Sequence, residues 1–324
     1  MDVLYNIEAA RMSIGKLMRD RAEGKISSVQ LASYDKDIGD HFTMVKTIAP
    51  KSMWLARKEG DADVKEVVLR VQGAICHHQL PPVLGSRITA NNEARFMKQS
   101  IRLTGFGCKQ FQQAVNSAAN LVAFMGQNMD DGSIEQWAPV RFQAWPALEF
   151  SNRYFVHQNT EGDMVPVAYS ENMDPDGVLA EMAGEDWVHT ADNQVSFYKR
   201  DAVSDEKPRF VPFDPSMFKK GDLVEVQFSM VAVKQRGKDE QHNVRLILRA
   251  VAMLDDKLSK DAINKQTVVG SSLPTAPPTP SKSLKRSVGY MHDEDDDQDL
   301  GNTKRMRELS ISDTRMDDEG ALKQ

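Results

Sequence analysis

Apolar and polar positions alternate with two different periods along this chain. Val3, Ile7, Ala10, Ile14 and Leu17 recur at three- and four-residue steps, the signature of one face of a helix. After Glu23-Gly24-Lys25, Ser27 or Ser28 is placed to cap a second helix with Leu31, Tyr34, Ile38, Phe42 and Val45 on its apolar face. Residues 1–50 are therefore expected to form a helical hairpin, either covering a sheet or pairing with a second copy. The period then shortens. Residues 52–58 and 64–75 predict strands and a hairpin, with Val67, Leu69 and Val71 on one face. Pro81-Pro82 and Gly85 mark a loop, and residues 96–103 predict a strand. From Cys108, the spacing of Phe111, Val115, Ala118, Val122 and Met125 predicts an amphipathic helix ending near Gly126.

Residues 140–150 and 154–169 predict extended chain, with Pro146 and Pro166 at edges or bends. Asp174-Pro175-Asp176-Gly177 opens a short helix through Met182, and residues 188–199 and 210–213 predict further strands. The longest strand signal is residues 221–256. Val224, Val226, Phe228, Met230 and Ala232 fall on one face, while Glu225, Gln227 and Ser229 fall on a wetter one. In the returning strand, Val244, Leu246, Leu248, Ala250 and Ala252 share the core side. Arg245, Ile247, Arg249, Val251 and Met253 lie opposite. The turn between the strands carries Lys234, Arg236 and Lys238, with Asp239 and Glu240 beside them.

The fold class expected is α+β: a mainly antiparallel sheet or small OB-like barrel (residues 51–258), a helical hairpin before it, and a tail from 259 to 324. Residues 271–286 are rich in Ser, Thr and Pro, and "HDEDDDQD" (292–299) is an acidic run. Such a segment cannot bury enough apolar surface to order itself, so disorder is expected. There is no regular strand–helix alternation of the doubly wound kind.

Charge limits the function classes. The net charge of -6 does not suit a dedicated duplex-DNA or membrane binder, so a nucleic-acid role must rest on a local patch. Two cysteines, Cys76 and Cys108, make no secreted disulfide framework. No stretch approaches the roughly 18 apolar residues of a membrane span, and the first residues lack the apolar run of a signal peptide. A soluble intracellular protein with no membrane partner is expected.

"WVHTADNQVSFYKR" (187–200), "GDLVEVQ" (221–227) and "LILRAVAMLDD" (246–256) resemble a large, expanded family of uncharacterised proteins of mushroom-forming fungi. In that family a VHxxDNxVxYY-like strand precedes GDxVEVQ and LxLRAxxLLD strands; this chain has Phe197-Tyr198 where paired tyrosines are common. The likeness spans residues 187–256 and implies no activity and no catalytic residue.

Little chemistry is written in motifs. Cys76-His77-His78 holds metal-ligand types, but neighbours on a strand point to opposite sides. Gly105-Phe106-Gly107 lacks a phosphate-loop pattern and predicts a plain turn into the next helix. No cofactor or metal is expected. An enzyme would have to gather His77, His157 and nearby acids in one pocket. Small open barrels bind single strands with cations for phosphate and aromatics for stacking. On that basis Arg245, Arg249, Lys234, Arg236 and Lys238 are the candidate nucleic-acid contacts; a protein-interaction scaffold remains the alternative. In the tail, Lys285-Arg286 and Lys304-Arg305-Met306-Arg307 resemble a bipartite nuclear-import signal, implying an import receptor as partner and the nucleus rather than the cytoplasm as location. Thr279, before Pro280, and Ser310, three residues after Arg307, are candidate phosphorylation sites whose added charge would oppose the basic clusters.

Overall fold

The computed structural model describes residues 1, 3–23, 26–47, 52–59, 63–85, 94–129, 132–158, 165–201, 209–235, 237 and 241–271. All belong to one compact unit, Met1–Leu273. Five strands close a mixed barrel: β1 (Leu69–Gln79), β2 (Lys98–Thr104), β3 (Trp145–Arg153), β4 (Leu223–Lys234) and β5 (Gln241–Asp255). Around the ring the order is β1-β2-β3-β5-β4 and back to β1. Every pair is antiparallel except β3 with β5, which meet in parallel at Ile247 and Ser151. This is an OB-like barrel. Its seam lies at β3–β5, where buried Asn152 donates from Nδ2 to the Leu248 carbonyl (3.2 Å) and to the Asp192 carbonyl (2.8 Å). Further strands at 42–47 and 52–59 extend the sheet from β4, and strands at 196–201 and 209–212 extend it from β5.

Helix α1 (Ile7–Ala22) begins where Asn6 Oδ1 accepts from the Ala9 N–H (3.0 Å) and buries Ala10, Ile14 and Met18. The second half of the expected helical hairpin does not form. Residues 27–33 make two 3₁₀ turns, α2 is the single turn Ile38–His41, and Phe42–Thr47 is a strand. Asp37 is left-handed (φ 53°), which ends any helical run, and the β-branched residues Thr43, Val45 and Thr47 pair with 52–56 instead. Helix α3 (Lys109–Gln127) buries the face expected of it, from Phe111 to Met125. It follows β2 through the Gly105-Phe106-Gly107 turn. A Cβ at Gly105 would lie 2.3 Å from Phe111 Cβ, so only glycine lets the helix start so close to the strand.

Two expected details of the long hairpin are corrected. A bulge shifts the register opposite Gln227 and Phe228, so Leu248 faces Phe228 while Ala250 faces Gln227. Beyond it Val251 and Met253 join the buried core cluster, and Ala250 and Ala252 turn to the outer side. The outer side of β4 is also dry: Glu225 is 2% exposed and Ser229 0%. Residues 259–271, expected in the tail, complete α5 (Lys257–Ser271). Asp255 Oδ1 accepts from the Lys257 N–H (2.8 Å) at its start, and Ser259 Oγ bonds buried Asp222. The rest of the tail, with its expected disorder, lies outside the described residues.

The long connection from β3 to β4 includes α4 (Val178–Ala183) and builds a satellite core of Val83, Tyr154, Phe155, Met173, Leu179 and Ala183 against the β1–β2 loop.

Candidate functional site: two cationic surfaces on the barrel

The closed barrel presents two outer surfaces with cations on them. On the β1–β4 side, Arg21 from α1 and Arg70 from β1 converge on Glu225, at 3.2 and 3.3 Å. Gln72 Nε2 donates to Glu225 Oε2 and to Gln30 Oε1, both at 2.8 Å. This side is a buried, charge-compensated joint between helix and barrel.

Arg249 belongs to the same class. Its Nη2 and Nε donate to Glu66 Oε1 (2.6 and 3.1 Å), its Nη1 donates to the Asp192 carbonyl (2.9 Å), and its guanidinium lies 5.5 Å from the Trp54 ring centroid. A guanidinium so engaged has little left for phosphate.

The other surface is the outer face of β2, β3 and the first part of β5. Register places Lys98 across from Arg153, Ser100 across from Ser151, and Arg102 across from Glu149. Glu149 is bound to Lys98 (3.3 Å) and Arg102 (2.5 Å). Desolvation pulls its pKa up, but those two cations outweigh it and hold the carboxyl below the usual range. Arg153 and Arg245 are exposed, and neither has a carboxylate partner among the described residues. Beyond desolvation, Arg153 is close enough to lower the pKa of Arg245. Between Arg245 and the β3 strand, along the barrel seam, a cleft of about 180 Å3 is lined by Trp137, Pro139, Ala147, Glu149 and Val244.

Of the expected contacts, then, only Arg245 stands on this open face. Lys234 is exposed at the end of β4, while Arg236 and Lys238 lie outside the described residues. The base of their turn is fixed: the Gln235 N–H donates to the Gln241 carbonyl (2.8 Å), and Gln235 Nε2 donates to Glu135 Oε2 (2.5 Å). The import-signal residues Lys285, Arg286, Lys304, Arg305 and Arg307, and the phosphorylation candidates Thr279 and Ser310, also lie outside the described residues. Arg153, Lys98, Arg102 and Trp137 were missed. The signal for Arg153 is alternation: Leu148, Phe150 and Asn152 are inside, leaving Glu149, Ser151 and Arg153 outside.

Cys76 is buried and donates from Sγ to the Arg102 carbonyl (3.3 Å), and burial raises its thiol pKa to about 11, which suits an inert structural cysteine. His77 stands on β1 opposite Arg102, whereas His157 packs edge-on against Trp187, so the two histidines serve different elements. Among the described residues, no group of three or more His, Cys, Asp or Glu side chains is placed to hold a metal ion. No described helix is long and apolar enough to cross a membrane. No protein-family model matches the chain, and no curated protein matches it.

Proposed function

We propose that this protein binds single-stranded nucleic acid on the outer face of β2, β3 and β5. The observation that carries the reading is the pair Arg153 and Arg245. Two guanidiniums stand exposed on the same outer face of an OB-like barrel without a carboxylate partner among the described residues. A guanidinium that no carboxylate engages keeps its donors for phosphate oxygens. Trp137 beside Arg245 adds an aromatic plane of the kind on which unpaired bases stack. A flat sheet face with one cation cluster suits a flexible single strand. A net charge of -6 opposes the broad contact that duplex DNA needs.

We further propose that the protein acts in the nucleus, carried by an import receptor that reads Lys285, Arg286, Lys304, Arg305 and Arg307, and that it belongs to the fungal family that residues 187–256 resemble.

Fluorescence anisotropy with a labelled single strand, and with the duplex of the same sequence, tests the reading. At low salt the single strand binds and the duplex binds more weakly. Affinity falls with salt with a slope of about -1.4 or steeper, roughly -0.7 for each phosphate neutralised. Absence of binding by either probe at low salt overturns the proposal.

A further inference from the structure

A second cleft, of about 440 Å3, opens at the β1–β2 end of the barrel. Pro81, Pro82, Phe96, Met97, Lys98 and Tyr154 line it. Phe96 is 65% exposed, although a phenyl ring loses most by facing water. The Arg95 guanidinium lies 4.5 Å from the centroid of that ring. The backbone beneath the ring is held. It sits on a 3₁₀ turn, Ala94–Phe96, closed by the Met97 N–H donating to the Ala94 carbonyl (3.1 Å). The Tyr154 N–H in turn donates to the Met97 carbonyl (3.1 Å), and Ala94 and Met97 pack on the satellite core. The cleft is thus a slot between barrel and satellite core whose apolar walls are interrupted by Gln79 and Ser216, a common place for a ligand and of a size that suits a small flat group.

Its one charged wall names the ligand's other half. Lys98 lines the slot and also stands in register across from Arg153, so the slot opens onto the cationic face already described. A ligand that fits both has a flat apolar plane attached to an anion. We propose that the cleft takes one unpaired nucleobase, stacked on Phe96, from the same strand whose phosphates lie on Arg153 and Arg245. This rests on the single-strand reading above and adds a base-binding subsite to it. The slot recognises an aromatic plane, whereas Arg153 and Arg245 recognise charge.

The test uses the full chain, a labelled single-stranded oligonucleotide, and an abasic strand of equal length that keeps sugar and phosphate. Phe96→Ala weakens binding of the ordinary strand about tenfold and leaves the salt slope unchanged. The abasic strand binds both proteins equally and weakly. Phe96→Trp restores affinity, and its indole emission changes when the ordinary strand is added. Because Phe96 is exposed, Phe96→Ala melts like the parent protein. If Phe96→Ala binds the ordinary strand as tightly as the parent does, the base subsite is overturned and the single-strand reading stands. If the parent protein retains neither strand, both are overturned.

Discussion

Arg249 and Arg245 are on one strand, four residues apart, and face the same outer side of the barrel. One is held by Glu66, by the Asp192 carbonyl and by Trp54; the other stands exposed, without a carboxylate partner among the described residues. The same contrast holds between whole surfaces. Around Glu225, Arg21 and Arg70 compensate a buried carboxylate and fasten α1 to the barrel. Around Arg153 and Arg245, the carboxylate of Glu149 is already engaged by Lys98 and Arg102. A cation's role on this barrel depends on where the nearest carboxylate stands. Counting cations along a strand cannot reveal that.

The largest effect expected from breaking the contrast is on the closed side. Glu225→Ala leaves Arg21 and Arg70 partly buried without their shared partner and costs about 3 kcal/mol in urea unfolding. Arg153→Ala, on the open side, changes stability by no more than about 0.5 kcal/mol. Equal losses from both would erase the distinction. Next is Arg249→Ala, which removes an ion pair, a bond to a carbonyl and a cation–π contact. It destabilises by about 1–2 kcal/mol, yet leaves the salt slope of single-strand binding as it was.

Glu149→Gln sharpens the contrast from the other direction. It frees Lys98 and Arg102, so single-strand affinity rises and the salt slope steepens by about 0.7–1.4. Unchanged affinity would mean that those cations do not reach the ligand. Because the Glu149 pKa is lowered in the fold, the stability it contributes is present above its unfolded pKa and fades as pH falls through the folded one.

The smallest effect concerns the lobe that frames the Phe96 cleft. His189 is buried, its Nδ1–H donates to the Tyr154 carbonyl (2.7 Å), and its Nε2 has no partner among the described residues. Burial lowers its pKa, so the fold favours neutral imidazole, while the unfolded chain takes up a proton as pH falls through about 6.5. Thermal melts between pH 8 and 5.5 therefore show stability declining below that point. His189→Asn, which keeps a donor for the carbonyl but has no titrating ring, flattens the decline. A parallel decline in the variant would remove His189 as its cause.

Much of the framework was legible. Helix α3 and the long hairpin announce themselves because each has many apolar residues at one unbroken period. The failures have specific causes. Leu31, Tyr34, Ile38, Phe42 and Val45 are spaced as on a helix, but Asp37 breaks the run and the residues after it find a strand partner distant in design from any helical period. The β5 bulge adds one residue and so exchanges faces for everything after it, which alternation alone cannot foresee. The open site was harder still. Arg245 shares its outer face with Arg153, from a strand far back in the chain, and Arg249 meets Glu66 from another; no local pattern joins them.

If the open face, and not the cation count of the hairpin, binds the single strand, the salt slope of single-strand affinity separates the parent protein, Arg153→Ala with Arg245→Ala, and Arg249→Ala. The double variant loses about 1.4 from the slope, with its melting temperature unchanged, while Arg249→Ala keeps the parent slope despite a lower melting temperature. A double variant with the parent slope, or an Arg249→Ala variant that loses it, would show that the hairpin's cations, not the open face, hold the strand.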